Sequence, residues 1–142
     1  MLKPIVIPSP DRKHKAVLNS VSEVQSGPSY YTLSITGFPV SFENRIFGDV
    51  CLWSPESRFL TVQEWKELDE SEGPKSCLLL IIDLLASREC VVASLDGAQG
   101  NILPEGYIGE SLMYRVVYSG QFGMTKSYES KFQYLTGWQV LK

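Results

Sequence analysis

Apolar residues recur at every second position along most of the chain, and the three-to-four spacing of a helix is hard to find. Residues 30–36 read YYTLSIT, alternating and rich in β-formers, and Gly37 with Pro39 closes the run. In residues 111–119, Leu112, Tyr114, Val116 and Tyr118 fall on one side and Met113, Arg115 and Val117 on the other. In residues 58–65, Phe59, Thr61, Gln63 and Trp65 share one side, with Leu60, Val62 and Glu64 opposite. Residues 77–85, CLLLIIDLL, are almost continuously apolar. They predict a central strand covered on both faces, joined by a tight turn near residues 86–88 to a second strand. Periodicity alone leaves a short buried helix open for the first of the two.

Further strands are predicted at residues 5–8, 15–23, 40–43, 49–53, 127–134 and 138–141, with Gly and Pro punctuating the gaps. Short strands at this spacing predict an all-β fold. The expectation is a single domain over residues 1–142, a small antiparallel sandwich or half-barrel. Residues 66–76 and 96–109 are the longest stretches without a clear period, and are expected to be exposed loops.

The segment CLWSPESRFLTVQEW (51–65) repeats part of IPSPDRKHKAVLNS (7–20) at an offset of 45. Ser9-Pro10-Asp11 matches Ser54-Pro55-Glu56, Lys13 matches Arg58, and Val17 matches Val62. Proline presets a turn, the acid after it can accept from following amides, and the apolar run becomes the outgoing strand. Trp53, Ser54, Pro55, Glu56, Phe59, Leu60, Val62, Ile82, Asp83 and Arg88 give this region a resemblance to a β-propeller blade of the WD40 or TolB kind. The resemblance covers residues 50–92 well and 7–19 partly. Ser57 stands where such blades usually carry glycine, and no Trp-Asp dipeptide or Gly-His pair occurs. Repeats of roughly 40–45 residues allow at most three blades here, too few for a closed ring. The resemblance therefore implies blade-like hairpins built into a smaller sheet structure.

Composition narrows the function classes. A net charge of −3 gives the chain no global attraction for nucleic acid or anionic lipid. No signal-peptide pattern opens it, and its longest apolar run is too short to span a bilayer. Cys51, Cys77 and Cys90 cannot all pair within one chain. They read as buried free thiols, which suits a reducing cytoplasm. The single histidine, His14, reads as a solvated turn residue. The cysteine spacing fits no zinc motif, no nucleophile elbow or phosphate loop is complete, and no metal or other cofactor is expected.

What stands out is charge patterning. Residues 64–72, EWKELDESE, hold five acids against one base. Glu64, Trp65, Glu67, Leu68, Asp69, Glu70 and Glu72 are accordingly the candidate docking set for a basic protein partner, with Trp65 or Leu68 as apolar anchor. This suits a non-catalytic interaction protein, similar in composition to small acidic immunity proteins that neutralise a basic toxin. Two other classes stay open. One is a structural module of a larger assembly. The other is a ligand or nucleic-acid binder using the C-terminal strands, where eight of the 16 aromatics lie between residues 107 and 138.

Overall fold

A computed structural model of the chain describes residues 3–22, 30–69, 73–96, 100–118 and 124–142, with the backbone alone at 22, 67–69 and 73–75. The strands are β1 (Ile5–Pro8), β2 (Lys15–Ser22), β3 (Tyr30–Ile35), β4 (Ile46–Trp53), β5 (Phe59–Asp69), β6 (Gly73–Asp83), β7 (Arg88–Asp96), β8 (Gly100–Ile108), β9 (Ser111–Tyr118), β10 (Thr125–Lys131) and β11 (Gln139–Val140). One turn of 3-10 helix, Phe132–Tyr134, follows β10. All the pairings are antiparallel. An eight-stranded sheet runs β1-β2-β3-β4-β5-β6-β7-β11, and a three-stranded sheet runs β10-β9-β8. The fold is therefore all-β and sandwich-like, and neither sheet closes into a ring.

The strand reading of residues 77–85 holds as far as Asp83, with Leu84 and Leu85 already in the turn, because β6 is apolar on both faces. Leu80 and Ile82 face one core, packed with Leu60 and Val62 of β5. Cys77, Leu79 and Ile81 face a second core, packed with Phe59 and Trp65. The small sheet covers that second core with Ile102, Leu112 and Val116, the inward positions that period-two alternation assigns them. Polar stitches fasten the two sheets. Gln63 Nε2 donates to the Ile102 carbonyl at 3.0 Å. Tyr107 shares a hydrogen bond with Thr61 Oγ1, and its hydroxyl also reaches the Leu52 carbonyl at 3.2 Å. Gly48 makes room for Gln63, since a Cβ there would lie 1.9 Å from Oε1.

The first core is covered by the sheet's own beginning. Ala16, Leu18, Leu33 and Ile35 of β2 and β3 pack with residues of β5 and β6. A flat sheet could not do this, so the sheet turns a corner. The corner lies between β3 and β4, which share a single ladder pair, Tyr31↔Phe47. Beyond it, the β1–β2 hairpin comes back against the β4–β5 turn. Trp53 Nε1 donates to the Ile7 carbonyl at 2.9 Å, although β2 and β3 separate β1 from β4 in the sheet.

Three sequence expectations are corrected. Residues 40–43 form no strand; they cross the rim of the first core, where Phe42 plugs in at 4% exposure beside Phe38. Residues 100–108 are not a loop but β8, whose register against β9 shifts between Pro104 and Gly106. Proline and glycine there mark a bulge on an edge strand rather than a break. Residues 66–69 and 73–76 are likewise strand, as described below.

The repeated Ser-Pro-acid segments fold into one and the same turn. Arg12 N donates to the Ser9 carbonyl at 2.9 Å, and Ser57 N to the Ser54 carbonyl at 2.9 Å. Each serine hydroxyl accepts from the amide five residues on, His14 at 3.1 Å and Phe59 at 3.0 Å. The fourth residue is left-handed in both, with φ 64° at Arg12 and 65° at Ser57. This is the position where a blade carries glycine. The two turns also touch, since Asp11 N donates to Ser57 Oγ at 2.9 Å. His14 is not free in solvent: Nδ1 lies 2.9 Å from the Thr36 carbonyl and the ring stacks on Trp53 at 6.3 Å.

Left-handed backbone costs an L-residue about 1–2 kcal/mol, and glycine recovers most of it at some cost in unfolded-state entropy. Arg12→Gly should therefore stabilise the protein by about 0.5 kcal/mol in urea unfolding. Ser57→Gly should gain nothing, because it also removes the acceptor for Asp11. Equal effects at the two sites would show that the contact between the turns carries no stability.

Candidate functional site

Charge is concentrated in three places on the large sheet, and each has a different chemistry. The first is the β6–β7 turn. Asp83 is fully buried, yet it accepts from Arg58 Nε and Nη2 at 3.0 Å each, from Arg88 Nε at 3.0 Å, and from the Leu85 and Ala86 amides at 3.1 and 3.2 Å. Arg58 in turn lies over Phe59 and Arg88 over Trp138. Both guanidiniums are thus fixed by the fold, with Asp83 as their hub. Burial alone would raise the Asp83 pKa, but hydrogen bonds from Arg58, the Ala86 amide and Arg88 outweigh it and leave the carboxyl below its ordinary value.

The second is a clamp on β5. Arg45 Nε donates to Glu64 Oε2 at 2.7 Å and Nη2 to Oε1 at 3.1 Å, while Nη2 also reaches Glu89 Oε2 at 2.9 Å. Lys66 Nζ stands 3.4 Å from the same Glu64 oxygen. The guanidinium lies 5.5 Å from the ring centres of both Phe42 and Phe47. Arg45, just before β4, therefore closes the rim of the first core and links Glu64 of β5 to Glu89 of β7.

The third is the acid-rich stretch. β5 and β6 form a hairpin whose pairing continues through Lys66↔Ser76, Leu68↔Pro74 and Asp69↔Gly73. The last described pair of β5 with β4 is Ile46↔Trp65, and the pairing of β6 with β7 begins at Ser76↔Asp96. The hairpin end thus runs past the described ends of both neighbouring strands as a two-stranded finger.

These placements divide the candidate docking set. Glu64 and Trp65 are interior, at 1% and 4% exposure, and their assignment to an exposed partner-binding loop is corrected. β5 is covered on both faces, so alternation puts the acid into the Arg45 clamp and the indole into the second core, edge-on to Tyr30 at 6.4 Å. Trp65 Nε1 has no hydrogen-bond acceptor among the described residues. Glu67, Leu68 and Asp69 lie on the finger by their backbone, while Glu70 and Glu72 fall outside the described residues. Arg45, which organises the clamp, carried no sequence signal. It is a lone base 19 residues from its partner, in no motif.

The described residues offer little for covalent chemistry. All three thiols are free and buried. Burial pushes Cys51 up to about 12 and raises Cys77 and Cys90, the opposite of an activated nucleophile. Burial likewise raises the Tyr107 phenol, against the pull of its bond to Thr61. Among the described residues no group of three or more His, Cys, Asp or Glu could hold a metal ion, and no helix is long and apolar enough to cross a membrane. Fold and site define a class: an antiparallel β-sandwich with an acid-bearing hairpin finger. No family model matches the chain, and neither a curated protein nor a solved structure matches it.

Two outcomes test the inner charges. Removing Arg45 leaves a buried carboxylate short of its partner, so Arg45→Ala should cost about 3 kcal/mol in urea unfolding. The double variant Arg45→Met/Glu64→Met should recover most of that loss. A single variant as stable as wild type would mean that Glu64 is not held as described. For Asp83, the folded pKa is below the unfolded one, so its stabilisation is complete above the unfolded value and is lost as pH falls through the folded value. Wild-type stability should thus decline from about pH 5 downward. Asp83→Asn should be less stable at pH 7 and show a shallower decline. Parallel curves for the two proteins would remove Asp83 from the acid response.

Proposed function

We propose that this chain is a non-catalytic protein-interaction module, most simply a small acidic inhibitor of the immunity type that binds and neutralises a basic partner. The finger at the end of β5–β6 is the docking element. The observation that carries this reading is the conjunction of sequence and register. Glu67 and Asp69 fall on a hairpin end that extends beyond the last described pairs with β4 and β7, and Glu70 and Glu72 follow them in the sequence. Carboxylates carried beyond the body of a sheet steer a basic partner and suffer less desolvation than carboxylates on its faces. Leu68, in the middle of them, supplies an apolar anchor. Glu64 is not part of this surface, because its charge is neutralised internally by Arg45. Three free buried thiols suit a reducing compartment, which supports a cytoplasmic location.

The test is affinity capture from native lysate of the source cells, wild type against Glu67→Lys/Asp69→Lys/Glu70→Lys, followed by association kinetics on the protein recovered. The wild type should retain a basic protein that the triple variant loses. The association rate should also fall steeply as salt rises from about 0.05 to 0.5 M, where the screening length shrinks to a few ångströms. A partner held equally by the triple variant, or an association indifferent to salt, would remove the finger as the docking element.

A further inference from the structure

The four outer edges of the two sheets are not alike. β1 has only four residues, with Pro4 before it and Pro8 at its end. β11 has two residues and covers only Arg88 and Glu89 of β7, whose register against β6 shifts between Leu79 and Leu80. β8 carries Pro104 and a register shift. Short strands, prolines and bulges are the ordinary devices that keep a sheet edge from pairing with another chain. β10 has neither proline nor bulge. Its seven residues pair with β9 in unbroken register from Thr125↔Val117 to Lys131↔Ser111, and six of them are exposed. Its outer row of amides and carbonyls is the long regular edge of the described structure.

We propose that β10 is a self-association edge, pairing antiparallel with β10 of a second copy so that two three-stranded sheets become one of six strands. This inference is independent of the acidic finger. Charge and register together select the occupant. A two-fold axis normal to a sheet places some residue opposite its own copy, and only an axis at the central residue, Tyr128, pairs β10 over its whole length. In that register Thr125 faces Lys131, Lys126 faces Ser130, and Ser127 faces Glu129, so no like charges stand directly opposite. Axes at Lys126 or Glu129 would oppose two ammonium groups or two carboxylates. The lysines that would discourage pairing at large thus leave this register open.

Aromatic packing points the same way. Tyr128 stacks on Tyr114 of β9 at 5.4 Å with an interplanar angle of 18°, and it remains 38% exposed. In the dimer the two Tyr128 rings meet across the axis, and a row of four tyrosines spans the joint. Cross-strand aromatic pairs are among the more stabilising contacts of antiparallel sheets. One strand pair is a small interface, so the dimer is of the weak, concentration-dependent kind.

Sedimentation equilibrium on the full chain, over a concentration series from micromolar to millimolar, tests this. Wild type should pass from monomer to dimer. Ser127→Glu places a carboxylate opposite Glu129 at two symmetric positions and should raise the dissociation constant roughly tenfold. Ser127 is exposed and pairs with Arg115, so the monomer should tolerate the change. Ser127→Glu/Glu129→Lys makes both cross-axis pairs attractive and should restore dimerisation to at least the wild-type level. A wild type that stays monomeric throughout, a dimer indifferent to Ser127→Glu, or a double variant no better than the single one would overturn the proposal.

Discussion

A hairpin apolar on both faces cannot leave either face in water, and the rest of the architecture follows from that requirement at β5–β6. Leucines, isoleucines and valines alternate between two cores, so each face demands its own cover. The chain meets the two demands differently. One cover is a separate sheet of three strands laid across the hairpin. The other is the first part of the same sheet, brought over by the corner at Tyr31↔Phe47. Without a second sheet on one side and a corner on the other, the hairpin would expose a large apolar surface.

Three polar side chains of β5 in this double core are satisfied one by one, while the Trp65 Nε1 has no acceptor among the described residues. Thr61, Gln63 and Glu64 are buried consecutively or nearly so on β5, and each has a specific partner: Tyr107, the Ile102 carbonyl and Arg45. An unpaired polar group at such a site would be costly, so each pairing also fixes where its partner element lies. Gln63 positions β8, Tyr107 ties β8 to β4 and β5, and Arg45 ties the rim of the first core to β7. The same residues that interrupt the apolar pattern thereby select one docking of the sheets over the alternatives that hydrophobic contact alone would allow.

Legibility from sequence followed the range of the interactions. Period-two alternation is local and strong, so the faces of β5, β6 and β9 could be read directly, as could the paired turns, whose Ser-Pro-acid chemistry closes within six residues. The corner could not be read, because it depends on β1 meeting Trp53 through a contact 46 residues apart. Nor could Arg45, whose role exists only once Glu64 and Glu89 are beside it. The errors at β8 and at the end of β5 share a cause. In sequence, glycine, proline and runs of acid read as signs of loops, whereas proline suits an edge strand and charge suits a hairpin that outruns its neighbours.

The acids of residues 64–72 show why a charge count cannot locate a surface. Five carboxylates in nine positions look like one patch. Glu64, the first, sits where β5 still has β4 beside it and β6 on its other flank, and burial there is tolerable only because a guanidinium meets it in bidentate geometry. After Trp65, its last described pair with β4, β5 loses that neighbour, and the constraint that forced Glu64 inward ends with it. The reach of the constraint that buries Glu64 is therefore set by the point at which the described flanking strands stop, near Trp65 and Lys66, and not by any change in the sequence itself.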